Sequence, residues 1–108
     1  MTDLTELEQH VLQVLRDTPE YRDYSRTLKE LQKNPELYQR VNEMREKNFI
    51  ISQKEEDEDI MDLMDALTNE FEDVIGMSVV TEFMEAEAAF VKMIQDFTNT
   101  VTYGLEFD

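Results

Sequence analysis

The sequence has no cysteine and no tryptophan, and only two glycines, two prolines and one histidine in 108 residues. Without Cys there are no disulfides, no thiolate metal sites, no thiol nucleophile and no cysteine-held iron–sulfur cluster. Two glycines, Gly76 and Gly104, cannot build a P-loop or a GxGxxG fingerprint. So little Gly and Pro also argues against a turn-rich β protein. His10 alone cannot supply the paired Glu-x-x-His motifs of di-metal bundles. It stands beside an apolar stripe, between Leu7 and Val11, where a boundary position explains it better than catalysis. Residues 1–6 have neither the basic region nor the apolar run of a signal peptide. No apolar run approaches the ~20 residues that span a bilayer, so a cytoplasmic protein is expected.

Positive charge is scarce where it would matter for nucleic acid. The net charge is −16. Residues 1–54 carry nine Lys/Arg and ten Asp/Glu, whereas residues 55–108 carry Lys92 alone against sixteen acids. Phosphate binding needs Lys and Arg to displace counterions, so the second half repels nucleic acid and anionic membrane surfaces. Only a face bearing Arg22, Arg26, Lys29, Arg40 and Lys47 could serve RNA. A basic partner, or plain solubility, fits the acidic half better.

What is present is helix-forming: Leu, Met, Ala, Glu, Gln, Lys and Arg dominate. Both prolines sit in one context, Thr18-Pro19-Glu20 and Asn34-Pro35-Glu36. Thr18 and Asn34 are suited to the N-cap, and Pro to the first helical position, where its missing N–H costs nothing. Each Glu then faces the positive end of the helix dipole. The chain therefore divides. A first helix is expected from about Leu4 to Arg16, capped by Asp3 or Thr2, with Leu4, Leu7, Val11 and Val14 as its stripe. A second runs from Pro19 to about Lys33, with Tyr21, Tyr24, Leu28 and Leu31 on one face. A third runs from Pro35 to about Gln53, with Leu37, Val41, Met44 and Ile51 aligned and Asn48 interrupting.

An acidic linker is expected at 54–59, since five like charges in a row, 55–59, disfavour packing. It is not an EF-hand loop, which needs a central Gly. A fourth helix, Asp59 to Val74, carries Ile60, Met64, Leu67, Phe71 and Val74, and Gly76 should stop it. Ser78 can cap a fifth. Its seam, Val80, Phe83, Glu87, Phe90, Ile94, Phe97 and Val101, alternates by three and four like a coiled coil. Gly104 should close it, leaving 104–108 as a loose tail on which Phe107 can still dock.

The expected fold is all-α, with about five helices in an elongated bundle, a long C-terminal helix, and one domain over 1–108. Three phenylalanines on the last helix exceed what a chain of this size easily covers, so dimerisation through helix faces is expected. The interface candidates are Val80, Phe83, Glu87, Phe90, Ile94, Phe97 and Val101, with Met44 and Asn48. Glu87 interrupts the seam. It either reaches water from an edge or pairs with Arg40, Arg45 or Lys47, fixing register at a cost in stability. Glu82 and Glu85, one turn apart, could share a cation, but no imidazole accompanies them. Five of the seven methionines, Met61, Met64, Met77, Met84 and Met93, cluster in the second half. They suit either core filling or a groove for a partner helix. No catalytic, metal or cofactor-binding residue is proposed.

Three stretches resemble the YlbF/YmcA family of small bacterial helical proteins, which includes the YheA-type members. They are the opening helix with Thr18-Pro19-Glu20-Tyr21-Arg22-Asp23-Tyr24, then Asn34-Pro35-Glu36-Leu37 leading to Met44-Arg45-Glu46-Lys47-Asn48, and Val80 to Ile94 with its Ala86-Glu87 pair. The resemblance implies an all-α fold that forms dimers or larger assemblies with partner proteins. It implies non-enzymatic regulation touching competence, sporulation, biofilm formation and mRNA processing by RNase Y. Some members assemble with iron–sulfur clusters through cysteines, which this chain does not have. The alternative reading is an accessory protein binding a basic partner or a metal through its acidic half.

Overall fold

The computed structural model describes residues 3–54 and 59–107. These form six α-helices: α1 (Leu4–Arg16), α2 (Pro19–Gln32), α3 (Pro35–Ser52), α4 (Ile60–Glu70), α5 (Glu72–Ile75) and α6 (Ser78–Glu106). No strand occurs among the described residues, so the all-α expectation holds. Most of the expected linker, residues 55–58, lies outside the described residues, as does Asp108.

The helix starts follow local chemistry. Asp3 Oδ1 accepts from Thr5 N–H at 2.9 Å, Thr18 Oγ1 from Tyr21 N–H at 3.2 Å, and Asn34 Oδ1 from Leu37 N–H at 3.2 Å. Each satisfies one of the donors that a helix start leaves open. Thr18 also donates its hydroxyl to Leu15 O at 2.6 Å, joining the end of α1 to the start of α2.

Three boundaries differ from expectation. The fourth helix is broken in two at Phe71, whose φ of −109° and ψ of 20° leave the helical region. Val74 N–H bonds Phe71 O at 3.0 Å, which frees the Glu70 carbonyl, and Arg40 Nη2 takes it at 3.1 Å. Ser78 is the first residue of α6 rather than its cap, since Val80 and Thr81 N–H both bond Met77 O. Finally, α6 runs through Gly104 to Glu106. Gly104 has no positive φ, and a helical Gly costs only about 1 kcal/mol against Ala. The Tyr103 and Phe107 rings, 4.6 Å apart, pack across the same turn.

The chain resolves into two compact units: Met1–Leu28 with Phe83–Asp108, and Lys29–Glu82. In the second, α3 packs on α4 and α5. Its buried apolar residues are Leu31, Leu37, Val41, Met44, Ile51, Leu67, Phe71, Val74 and Val80. In the first, an aromatic cluster joins α2 to α6. Tyr24 stacks on Phe90 with centroids 4.8 Å apart, and lies 5.9 Å from Phe83. Tyr21 meets Phe90 edge-on at 5.8 Å. Thr27 is buried with its hydroxyl turned back on its own helix, donating to Asp23 O and Tyr24 O at 2.8 and 3.1 Å.

Candidate interaction surface

The expected seam divides by depth along α6. Val80 and Phe83 are 1% and 0% exposed, and Met44 on α3 is also buried. All three are covered within the single chain and present no surface to a partner. Phe90 and Ile94 are half-buried. Phe97 and Val101 are 43% and 47% exposed, and Leu105 and Phe107 more so. The three seam phenylalanines therefore differ in depth: Phe83 is buried, Phe90 half-buried and Phe97 exposed. Glu87 is half-buried, with its Oε2 shielded from solvent. Asn48 is exposed, because α3 turns Val41, Met44 and Ile51 inward and leaves position 48 outside.

In the same unit, α1 has a well-segregated apolar face but no buried residue. Leu4, Leu7, Leu12 and Val14 are exposed, and Val11 and Leu15 half-buried. His10 is exposed on this helix. Apolar groups thus remain open on α1 and on the last turns of α6. Large exposed apolar patches, where they are contiguous, mark interaction sites.

The second unit has its own surface feature, which the sequence did not single out. An open groove of about 280 Å³ runs between the end of α3 and α4. Lys47, Ile50, Ile51 and Lys54 line one wall; Leu63, Ala66, Leu67 and Glu70 line the other. Phe49 of α3 and Met61 and Met64 of α4 are exposed and do not line it. Below it, α3 grips the α4–α5 break with two cations. Arg40 Nη2 meets Asp73 Oδ1 at 2.8 Å, and Lys47 Nζ meets both Glu70 carboxylate oxygens at 2.8 and 2.7 Å. Both cations lie over the buried Phe71 ring, at 4.4 and 5.6 Å from its centroid.

Of the cations considered for RNA, Arg22 lies 3.9 Å from Asp17 and Arg26 lies 3.9 Å from Asp23, all four side chains being largely exposed. Arg40 and Lys47 are paired with Asp73 and Glu70. Glu82 and Glu85 are exposed. Among the described residues no three Asp, Glu or His side chains converge as metal ligands do. No helix among those residues is long and apolar enough to cross a membrane.

The architecture is all-α, with apolar faces left exposed on α1 and on the last turns of α6. The chain belongs to the YlbF/YmcA family: the family model described as control of competence regulator ComK, YlbF/YmcA, matches residues 4–106. The match crosses both compact units. No curated protein and no solved structure matches the chain.

Proposed function

We propose that the chain is a non-enzymatic regulatory adaptor of the cytoplasm, which self-associates through its end faces and holds partner proteins. The family's link to competence regulation supports the regulatory role. One observation carries the adaptor role: α1 and the last turns of α6 keep their apolar faces in solvent, although the helices themselves are complete. Helices this amphipathic gain stability by covering such faces, and a second copy of the chain is the simplest cover. The self-association surface then comprises Phe97 and Val101 with the outward edges of Phe90, Ile94 and Glu87. Competence, sporulation, biofilm formation and RNase Y-dependent mRNA processing are the processes this role would serve.

The test replaces the native gene with a Phe97→Glu variant. Complex size and the regulatory phenotype are then read together. The adaptor reading expects a smaller complex and the phenotype of a deletion. A monomeric variant with the full wild-type phenotype overturns it.

A further inference from the structure

We infer that the open end of α6 pairs antiparallel with the same stretch of a second copy, Gly104 of each facing Ile94 of the other. The inference rests on the self-association in the adaptor reading and names its orientation and register.

Gly104 is the first observation. It lies inside α6 without a positive φ, where Gly costs helix stability against Ala. A Cβ added there would meet nothing within 4 Å. Nothing in the single chain therefore calls for glycine. A second helix packed closely across this position does, because a missing side chain lets it approach.

Charge is the second. The chain carries −16, yet residues 88–105 hold only Lys92 and Asp96 as charged groups, and these pair with each other at 4.0 Å. Copies of so acidic a chain repel where their acids meet, and this stretch avoids that. Val91, Met93, Thr98, Thr100 and Leu105 flank the seam and are uncharged. A two-fold therefore sets no like charges opposite each other, while a charged partner finds nothing here to select it.

Orientation follows from side-chain size. A parallel pair in register sets Phe97 against Phe97 and Gly104 against Gly104, one layer crowded and one empty. An antiparallel pair centred on position 99 sets Phe97 against Val101 and Ile94 against Gly104, large against small in each layer. It also uses the open end of the helix. Phe97, Val101 and Leu105 are exposed, whereas Phe83 is buried and Phe90 already meets Tyr21 and Tyr24.

The experiment exploits the absence of native cysteine, which makes each introduced thiol unique. Ile94→Cys and Gly104→Cys are made in the intact chain and oxidised separately and mixed, at micromolar concentration. In the antiparallel register the two 94 positions lie about 15 Å apart along the axis, as do the two 104 positions, beyond the reach of a disulfide. The mixture should therefore form linked dimers at least about tenfold faster than either variant alone. Linking of a single variant as fast as the mixture, or no linking in the mixture, overturns the inference. Gly104→Leu supplies a second readout that needs no thiol. Its side chain enters open space in the single chain, so circular dichroism should show full helicity. The dissociation constant from sedimentation should nevertheless rise at least about tenfold, because Ile94 of the second copy occupies that space. Unchanged or tighter association overturns the inference. If the parent chain sediments as a dimer while these results disagree, the register falls and the adaptor reading stands. A parent chain that sediments only as a monomer removes the self-association on which both rest.

Discussion

The Arg40 guanidinium lies 4.4 Å over the centre of the Phe71 ring. The ring is fully buried, and it stands where a straight helix would have continued. The same guanidinium takes the carbonyl that the break sets free. Cation and ring should therefore be energetically coupled. Phe71→Leu is expected to cost about 1–1.5 kcal/mol as a hydrophobic swap at a packed site. In a double-mutant cycle with Arg40→Met, urea unfolding should give a coupling of about 0.5–1 kcal/mol. A coupling near zero would mean that the break is held by packing alone.

Lys47 makes two shorter contacts, yet should matter less. Its side chain and that of Glu70 are each about half exposed, where ion pairs contribute about 0–1 kcal/mol. Lys47→Met is expected to shift stability by no more than about 0.5 kcal/mol at moderate salt, and by less at ~1 M, where the screening length is ~3 Å. Thermal unfolding at two salt concentrations checks this.

Thr27 is the buried polar residue among the described residues, and it asks nothing of its neighbours. Both its hydroxyl bonds go to carbonyls one turn back on α2. Thr27→Val should therefore stay within about 0.5 kcal/mol of the parent, because no partner is orphaned by the change. Thr27→Asp, which puts an unpaired charge in the same place, should cost about 3 kcal/mol or more. Chemical denaturation of the two variants separates these outcomes.

Much of this architecture is legible in the sequence, and the reason is locality. Asp3, Thr18 and Asn34 announce helix starts because a cap acts on its own next turn. The seam of α6 is legible for the same reason, since its period lies within one helix. Depth is not legible. Nothing in the spacing distinguishes Phe83, fully buried, from Phe97, 43% exposed. The break at Phe71 is hidden because no Gly or Pro makes it; Arg40, thirty-one positions earlier, supports it from another helix. Gly104 misleads because its intrinsic cost, about 1 kcal/mol, is no larger than what a ring pair across the same turn can offset. The groove escapes notice because its two walls meet only after folding.

Tyr38 provides a titration marker. Hydrogen bonds from Asn42, then Gln32, and the nearby Arg45 charge favour its phenolate and hold its pKa below the ordinary value of 10.0. The folded chain thus releases this proton at lower pH than the unfolded chain. Its contribution to stability is fully present above pH 10, falls away as pH drops through the folded midpoint, and is absent at neutral pH. Phenolate absorbance should show an early component that Tyr38→Phe deletes and Asn42→Leu moves upward. An unchanged curve in both variants would refute the assignment.

Self-association gives a contrasting pair. Phe97→Glu places charge on the exposed part of the α6 stripe and should lower the sedimenting mass at micromolar concentration without loss of helicity. Glu87→Leu removes the one acidic residue of the seam. Where such residues fix register, their removal loosens specificity while strengthening association. The second variant should then sediment as larger or more heterogeneous species. Mass unchanged in both would refute self-association through this stripe.

The first helix gains little from the fold of its own chain. Thirteen residues form α1, none of them buried, and isolated helices of that length are marginal in water. Its amide protons should exchange with deuterium rapidly in dilute solution and slowly once α1 is covered. The opening segment is therefore a gauge of company: its protection rises with concentration when copies meet and with added partner when one arrives.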